Sequence, residues 1–410
     1  MNRRRWLSRS SAAALAGWAF SKASAVPAPV PAPPPLGALP REVGERAPQE
    51  RLQRQVSARA LSGWSHTPLE QLNGLLTPSD LHFERHHGGI PAIDPASHQL
   101  LVHGLVGQAK RFTVADLKRM PGVTSNYFLE CSGNGYASTL PADRIPAAIR
   151  PGELDGLFSQ SEWSGVRLST LFAATGLKPQ ARWALAEGAD SAAMTRSIPV
   201  AKLLDDAIVA YAQNGEALRP AQGYPLRLLL PGYEGNMSIK WLRRLELADK
   251  PFMTREETSK YSDAQADGKV QLFSFTMGPK SLILSPAFPQ VVPGRGYWEI
   301  RGLAWSGHGR VRKVEVSVDG GRRWRRAKLD GADLPKSARV FRFGWEWNGQ
   351  PAALLSRATD EHGNVQKRRE QHMTGRGPGT VYHNNAIRSW RVAKDGQVTF
   401  GLAMGPGTGP

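Results

Sequence analysis

The run VRKVEVSVDGGRRW, Val311 to Trp324, decides how the chain is divided. Val314, Val316 and Val318 alternate with Glu315 and Ser317, the two-residue period of a strand buried on one face. The run ends in Asp319-Gly320-Gly321, a hairpin turn that puts Trp324 on the return strand. Around it Trp298, Trp305, Phe341, Phe343, Trp345 and Trp347 stand at strand spacing as core candidates, and helix signals cease beyond Lys280. Residues 281–395 are therefore expected to form a β-sandwich.

Residues 66–250 have a different texture. Leu100-Leu101-Val102 reads as a short strand, and Thr113 with Asp116 starts a helix that Pro121-Gly122 stops. Ser169 or Thr170 caps a second short helix, Leu171 to Ala174, which ends at Gly176. Pro199 opens a third helix, and Ile208 to Tyr211 is a strand entering the turn Asn214-Gly215. Leu226, Leu228 and Leu230 mark a buried strand. The predicted fold class is α+β: a mixed α/β domain, a polar connector over residues 251–280, then the sandwich.

Two segments of another kind precede these. Arg3-Arg4-Arg5-Trp6-Leu7, the apolar stretch Ala12 to Phe20 and Ala23-Ser24-Ala25 read as a signal peptide over residues 1–25, too short to span a bilayer. Its paired arginines point to twin-arginine export into the periplasm. Residues 26–65 form a proline-rich arm centred on Pro33-Pro34-Pro35, and residues 396–410 a flexible tail. The 410-residue chain has a formal net charge of +18. The leader holds five cations (Arg3, Arg4, Arg5, Arg9, Lys22) and no acid, so its removal leaves +13. Outside the cytoplasm that field favours an acidic protein or an anionic substrate over nucleic acid. About 385 residues exceed one ordinary core, so two domains are expected. No other segment has the length and apolarity for membrane insertion.

Chemistry-bearing residues concentrate in three stretches of the mixed domain. FLECSGNGY, Phe128 to Tyr136, holds the single cysteine, Cys131. A lone thiol makes no intrachain disulfide, and glycines on both sides of Asn134 let a bulky group approach the backbone. Cys131 is open to three readings: a soft donor for a transition metal, a nucleophile, or a buried spectator. HFERHHGGIP, His82 to Pro91, gathers an arginine and three histidines in a glycine-ended loop. His82 and His86 have helical ligand spacing, but Gly88-Gly89 and Pro91 oppose a helix and no second pair of zinc ligands is recognisable. That leaves a cationic loop for an anion. YPLRLLLPGYEGNMSIKW, Tyr224 to Trp241, sets Arg227 and Lys240 around a glycine-bearing loop. The pair is suited to gripping a phosphate, or is plain surface charge at strand ends.

Together FERHH, ECSGNG, the stretch from PLR through PG to SIKWL, and GLAWSGHGRVRKVEVSVDGGRRW (Gly302 to Trp324) resemble the sulfite oxidase family of molybdenum enzymes. The likeness runs from about Thr67 to Val392, and within the family it points to the molybdenum subunit of sulfane dehydrogenase. The resemblance implies a molybdopterin-binding oxidoreductase domain of sulfite oxidase fold, followed by an immunoglobulin-like dimerisation domain. It makes Cys131 the thiolate ligand of molybdenum, beside a pyranopterin dithiolene. Phe83, Arg85, His86 and His87 fall on the loop that holds the pterin and faces the metal, with Arg85 also the cation on the substrate side. Asp190 falls where an acid bonds the pterin. Arg227, Ser238, Ile239 and Lys240 match the segments that hold its terminal phosphate, and Gln222 stands where the family has a histidine. Tyr261, in SKYSD, corresponds to the active-site tyrosine, and Arg310, in SGHGR, to a second-domain arginine reaching toward the substrate pocket.

Sulfite oxidases usually carry two arginines after the Cys-x-Gly-Asn turn, where this chain has Gly135 and Tyr136. The change removes charge suited to free sulfite and implies an open entrance for a substrate carried on a protein arm. The implied activity is oxidation of sulfane sulfur on a carrier-protein cysteine, by oxo transfer from Mo(VI), in a homodimer within a heteromeric complex. Electrons must then leave, and one cysteine is too few for a c-type haem motif. With no haem in this chain, a separate cytochrome c subunit is expected as acceptor, docked on the basic surface. A periplasmic sulfite dehydrogenase with a cytochrome c acceptor and a noncatalytic periplasmic scaffold are the competing readings.

Overall fold

The valine alternation folds as a strand, Val311–Ser317, with Val311, Val314 and Val316 buried. Gly320 and Gly321 turn the chain at φ values of +75° and +86°, a region that a side chain enters only at a cost. The return strand is Arg325–Arg326, so Trp324 stands just ahead of it rather than on it. The computed structural model describes residue 37 and residues 39–377 and 379–401. The expected signal peptide, residues 26–36 of the arm and residues 402–410 of the tail lie outside the described residues. The chain divides into two units, residues 1–50 and 51–410; the described residues of the first are exposed and hold no helix or strand.

Val311–Ser317 belongs to a five-stranded antiparallel sheet with Arg325–Arg326, Ala352–Asp360, Ser389–Val392 and Val398–Gly401. A four-stranded sheet of Lys280–Ser285, Gly296–Trp305, Arg339–Trp347 and Lys328–Asp330 packs against it. Val314, Val316 and Leu354 from one sheet share a core with Ile300, Phe341, Phe343 and Trp345 from the other. This is the expected sandwich. Of the aromatic candidates only Trp298 stays partly exposed. Trp305 packs elsewhere, against Phe128 and Phe158 of the mixed domain, with 4.0 Å between the Trp305 and Phe158 ring centroids.

The mixed domain is built on two sheets. In one, Gly122–Glu130, Phe158–Arg167, Ile208–Gln213 and Glu216–Ala217 run antiparallel, and Arg227–Leu229 pairs with Ile208–Gln213. The other orders Lys110–Thr113, Gln99–Gly104, Leu242–Ala248, Trp183–Gly188 and Thr195–Pro199, with Gln99–Gly104 and Leu242–Ala248 parallel. The helices Val114–Arg119, Leu168–Thr175 and Val200–Asp205 contribute Leu117, Leu171, Phe172 and Leu203 to the core that joins them. Thr113 caps the first as expected, its hydroxyl taking the Asp116 N–H at 3.0 Å. The second begins earlier than expected. Arg167 is its N-cap, without a side-chain bond, and Ser169 and Thr170 lie inside the first turn. Strand Phe158–Arg167 runs directly into this helix, so no loop exists for a capping serine to occupy.

The connector is more than a linker. Glu256 and Glu257 are buried at its π-helical turn, Glu256–Lys260. Glu256 accepts from Thr195 Oγ1 at 3.0 Å and Glu257 from Ser197 N at 3.0 Å. Buried carboxylates hold their place only where donors meet them, and strand Thr195–Pro199 supplies those donors. The next residue after the turn is Tyr261.

Candidate active site

Cys131 follows directly on strand Gly122–Glu130. Its N–H donates to Leu157 O at 2.9 Å, and its carbonyl accepts from Asn134 N at 2.9 Å. Asn134, 1% exposed, closes the turn by accepting from Leu157 N at 3.0 Å and donating to Glu130 Oε1 at 2.9 Å. The neighbouring loop reaches the turn at a glycine, since a Cβ on Gly235 would lie 2.8 Å from Glu130 O.

The thiol opens into a cavity that joins the three stretches. From the second, His82 to Pro91, come Phe83, Arg85, His86 and His87. Gln222, Arg227, Ser238, Ile239 and Lys240 come from the region of the third. Asp190 and Tyr261, distant in sequence from both, complete the expected set. Arg310 is the exception and corrects the expectation. It does not line this cavity: its guanidinium is 3.3 Å from Glu361 Oε2 and donates to Asp333 O at 3.2 Å. Local acids hold it on the sandwich surface. A second correction concerns Gly135 and Tyr136, neither of which lines the cavity. Gly135, at φ +76°, packs where a Cβ would meet Arg388 Nη2 at 2.3 Å and Asp155 Oδ1 at 2.6 Å. Their position therefore opens no entrance to the cavity.

Several lining residues carried no assignment in the sequence. His82, Gly235, Asn236 and Trp241 sit inside the stretches already singled out, whereas Met194 had no signal of its own. Beyond the lining, Arg196 lies over the Tyr261 ring at 4.9 Å and Tyr382 is 5.4 Å from it, centroid to centroid. Both were brought there by chain folding alone.

Two buried cations dominate the far end. Arg227 Nη1 and Nη2 donate to Gln222 O and Ser238 O at 3.1 and 3.2 Å, while its Nε has no partner. Burial lowers its pKa to about 9. Lys240 Nζ donates to Arg85 O and Ala221 O, each at 3.0 Å, and meets His86 Nδ1 at 2.9 Å. Burial, with Arg227 next, pushes Lys240 well down. Neither forms an ion pair among the described residues. Buried charge left without a counterion is costly, and an anion at this place would offset it. Gln222 Nε2 meanwhile holds Phe83 O at 2.9 Å, and Ser238 Oγ accepts from Leu230 N at 3.0 Å. Asp190 accepts from Met194 N at 3.1 Å. These three fix the loops that form the walls.

At the other end, burial raises the Cys131 thiol against the opposing pull of Arg85. Tyr261 OH is 2.9 Å from His87 Nε2. Burial lowers His87 to about 4 and pushes the Tyr261 phenol upward. The phenol therefore keeps its proton and the imidazole is neutral, so the two share one hydrogen bond whose donor is set by the imidazole tautomer. The cavity presents a soft sulfur and a fixed cation, Arg85, at one end and two uncompensated cations at the other. Among the described residues no cluster of three or more His, Cys, Asp or Glu could hold a metal, so a metal here needs ligands brought by its own cofactor. A molybdopterin, with dithiolene sulfurs at one end and a phosphate at the other, fits this donor set.

Comparison with known proteins agrees with the geometry. Residues 87–256 match the oxidoreductase molybdopterin binding domain, and residues 273–389 the Mo-co oxidoreductase dimerisation domain. The chain is 30% identical over 317 residues to sulfite oxidase of Gallus gallus, covering 71% of this chain and 68% of that one. It is 31% identical over 305 residues to NADH nitrate reductase of Ulva prolifera, covering 67% of this chain but only 34% of the relative. The chain thus spans about a third of that enzyme's length. The sulfane dehydrogenase SoxCD structure from Paracoccus pantotrophus superposes with a TM-score of 0.82 at 39% identity, covering 89% of this chain and 96% of that one. The chain belongs to the sulfite oxidase family of molybdopterin oxidoreductases.

Proposed function

We propose that this protein is a molybdenum-dependent sulfur oxidoreductase that oxidises sulfane sulfur held on a cysteine of a carrier protein. The observation that carries the reading is one cavity with the Cys131 thiol at one end and, at the other, Arg227 and Lys240, which form no ion pair among the described residues. Cys131 would hold the metal; Arg227 and Lys240 would hold the cofactor's phosphate, and Phe83, His86 and Asp190 would flank its pterin. Bound there, the cofactor supplies two-electron oxo-transfer chemistry. The chain's own groups do the rest. Arg85 stabilises negative charge that develops on oxygen as sulfur is oxidised. Tyr261 OH shares one hydrogen bond with His87 and keeps capacity for a second on the substrate side.

The 39% identity to a sulfane dehydrogenase across nearly the whole chain supports sulfane sulfur over free sulfite. The dimerisation domain and the two-component name of that relative support a homodimer within a larger complex. A c-type cytochrome subunit is the proposed electron acceptor, since Cys131 is the only cysteine. The twin-arginine pattern of residues 3–7 supports action in the periplasm, and no described helix is long and apolar enough to cross a membrane.

The test is metal analysis and turnover together. Protein expressed with cofactor supply should hold about one molybdenum per chain, and Cys131→Ser should hold much less. Turnover with a sulfur-loaded carrier and cytochrome c should exceed that with free sulfite. Fast turnover of free sulfite without a carrier would replace this reading with a sulfite dehydrogenase, and a metal-free protein would leave a scaffold.

A further inference from the structure

Glu130, the residue before Cys131, is 1% exposed and has both oxygens occupied. Oε1 accepts from Asn134 Nδ2 at 2.9 Å and lies 2.9 Å from Lys280 Nζ, while Oε2 accepts from Trp305 Nε1 at 2.7 Å. Lys280, 0% exposed, opens the first strand of the sandwich, Lys280–Ser285. Its Nζ also lies 2.8 Å from Asp155 Oδ1. Asp155 in turn takes Nε and Nη2 of Arg388 at 2.9 and 3.0 Å. Two carboxylates of the mixed domain thus meet two cations of the sandwich in a buried, balanced set.

This set reaches the thiol through the backbone. Asn134, gripped by Glu130, holds Leu157 N at 3.0 Å, and Leu157 O receives Cys131 N at 2.9 Å. From the sandwich side, His383 N donates to Ser132 O at 2.7 Å. Neither Glu130 nor Lys280 lines the cavity. We propose that Lys280 is a positioning residue: across the domain junction, through Glu130, it holds the Cys131 turn so that Sγ faces the cavity. The inference rests on Cys131 being the metal ligand. Buried ionic networks contribute more to a specific arrangement than to net stability, and here the arrangement is that of a ligand-bearing turn. Removing Lys280 alone leaves the buried Glu130 carboxylate without its ion-pair partner, since Arg388 is engaged by Asp155, so Glu130 must shift its grip on Asn134. Removing Glu130 alone leaves a surplus cation. Replacing both leaves the matched Asp155–Arg388 pair.

The lone cysteine makes the test clean. Wild type, Lys280→Gln, Glu130→Gln and the double variant are prepared without cofactor supply, and alkylation of Cys131 by iodoacetamide is followed by mass spectrometry at fixed pH. Each single variant should change the rate by about fivefold or more, and the double should return to within about twofold of wild type. Leu354→Val, in the sandwich core, lowers stability without touching the network and should leave the rate unchanged. In cofactor-loaded protein the Mo(V) electron paramagnetic resonance g-values should shift in the singles and recover in the double. Wild-type rates in both singles, a double no better than the singles, or an equal change in Leu354→Val would overturn the proposal. If Lys280→Gln does not fold, Lys280→Arg, which keeps the charge at a longer reach, should still shift the rate, and a wild-type rate there counts against it. A wild-type protein that takes up no molybdenum would sink the functional reading, while the alkylation rates would still decide the clamp.

Discussion

Arg227 and Gly135 show how differently single residues were legible. Arg227 was identifiable because it stands with Lys240 around a glycine-bearing loop, a pairing suited to a phosphate. The structure leaves its Nε unpartnered at 3% exposure. Arg227→Met should lower cofactor retention in loaded protein yet leave the melting temperature of cofactor-free protein unchanged or raised, because an uncompensated buried cation is gone. Calorimetry beside molybdenum analysis reads both. Gly135 was read as an entrance residue, and it is instead a backbone requirement. Its positive φ and its contact with Arg388 and Asp155 leave no room for a Cβ. Gly135→Ala should cost about 1–2 kcal/mol from the left-handed backbone alone, measured by denaturant unfolding, and a neutral result would remove this account.

Elements were legible where their ends carry their own chemistry. The Val114–Arg119 helix was found from Thr113 and Asp116, which bond each other's backbone N–H at 3.0 and 2.9 Å. Thr113→Ala should therefore cost about 1 kcal/mol, seen as a lower urea midpoint. The Leu168–Thr175 helix was placed late because its start has no side-chain cap. The connector was misjudged for a related reason. Its acids look solvated in sequence, and only the partner strand Thr195–Pro199 shows why they turn inward.

Across the whole molecule, burial sets the response to pH. His66, His82, His87, His372 and His383 are lowered to about 4, 3, 4, 3 and 3, in each case chiefly by burial. In the unfolded chain they take up protons near 6.5, so below that pH the unfolded state binds more protons and stability falls. Each contributes roughly 1.4 kcal/mol per pH unit between 6.5 and its folded value. Glu234 acts in the opposite sense. Burial raises it to about 8, so its contribution, full below 4.5, is lost as pH rises from 4.5 to 8. The histidines outweigh Glu234 between pH 4.5 and 6.5, so the net slope there is positive. The thermal midpoint of cofactor-free protein should rise from pH 4.5 to 6.5. A midpoint that falls over that range would contradict the burial of these histidines.

What the sequence determined by itself was local: alternation in Val314 to Val318, the box at Thr113, the turn at Asn214-Gly215, and the three stretches that supply most of the cavity. Each of these depends on residues a few positions apart, whose geometry the backbone periods impose. Only the tertiary structure decided that Arg310 stays on the surface with Glu361, that Tyr261 meets His87, and that Lys280 stands behind the cysteine turn. Those pairings join residues 51, 174 and 150 positions apart, and no local period links them. They exist because strands distant in sequence close on one another and bring most of the polar groups there to a partner.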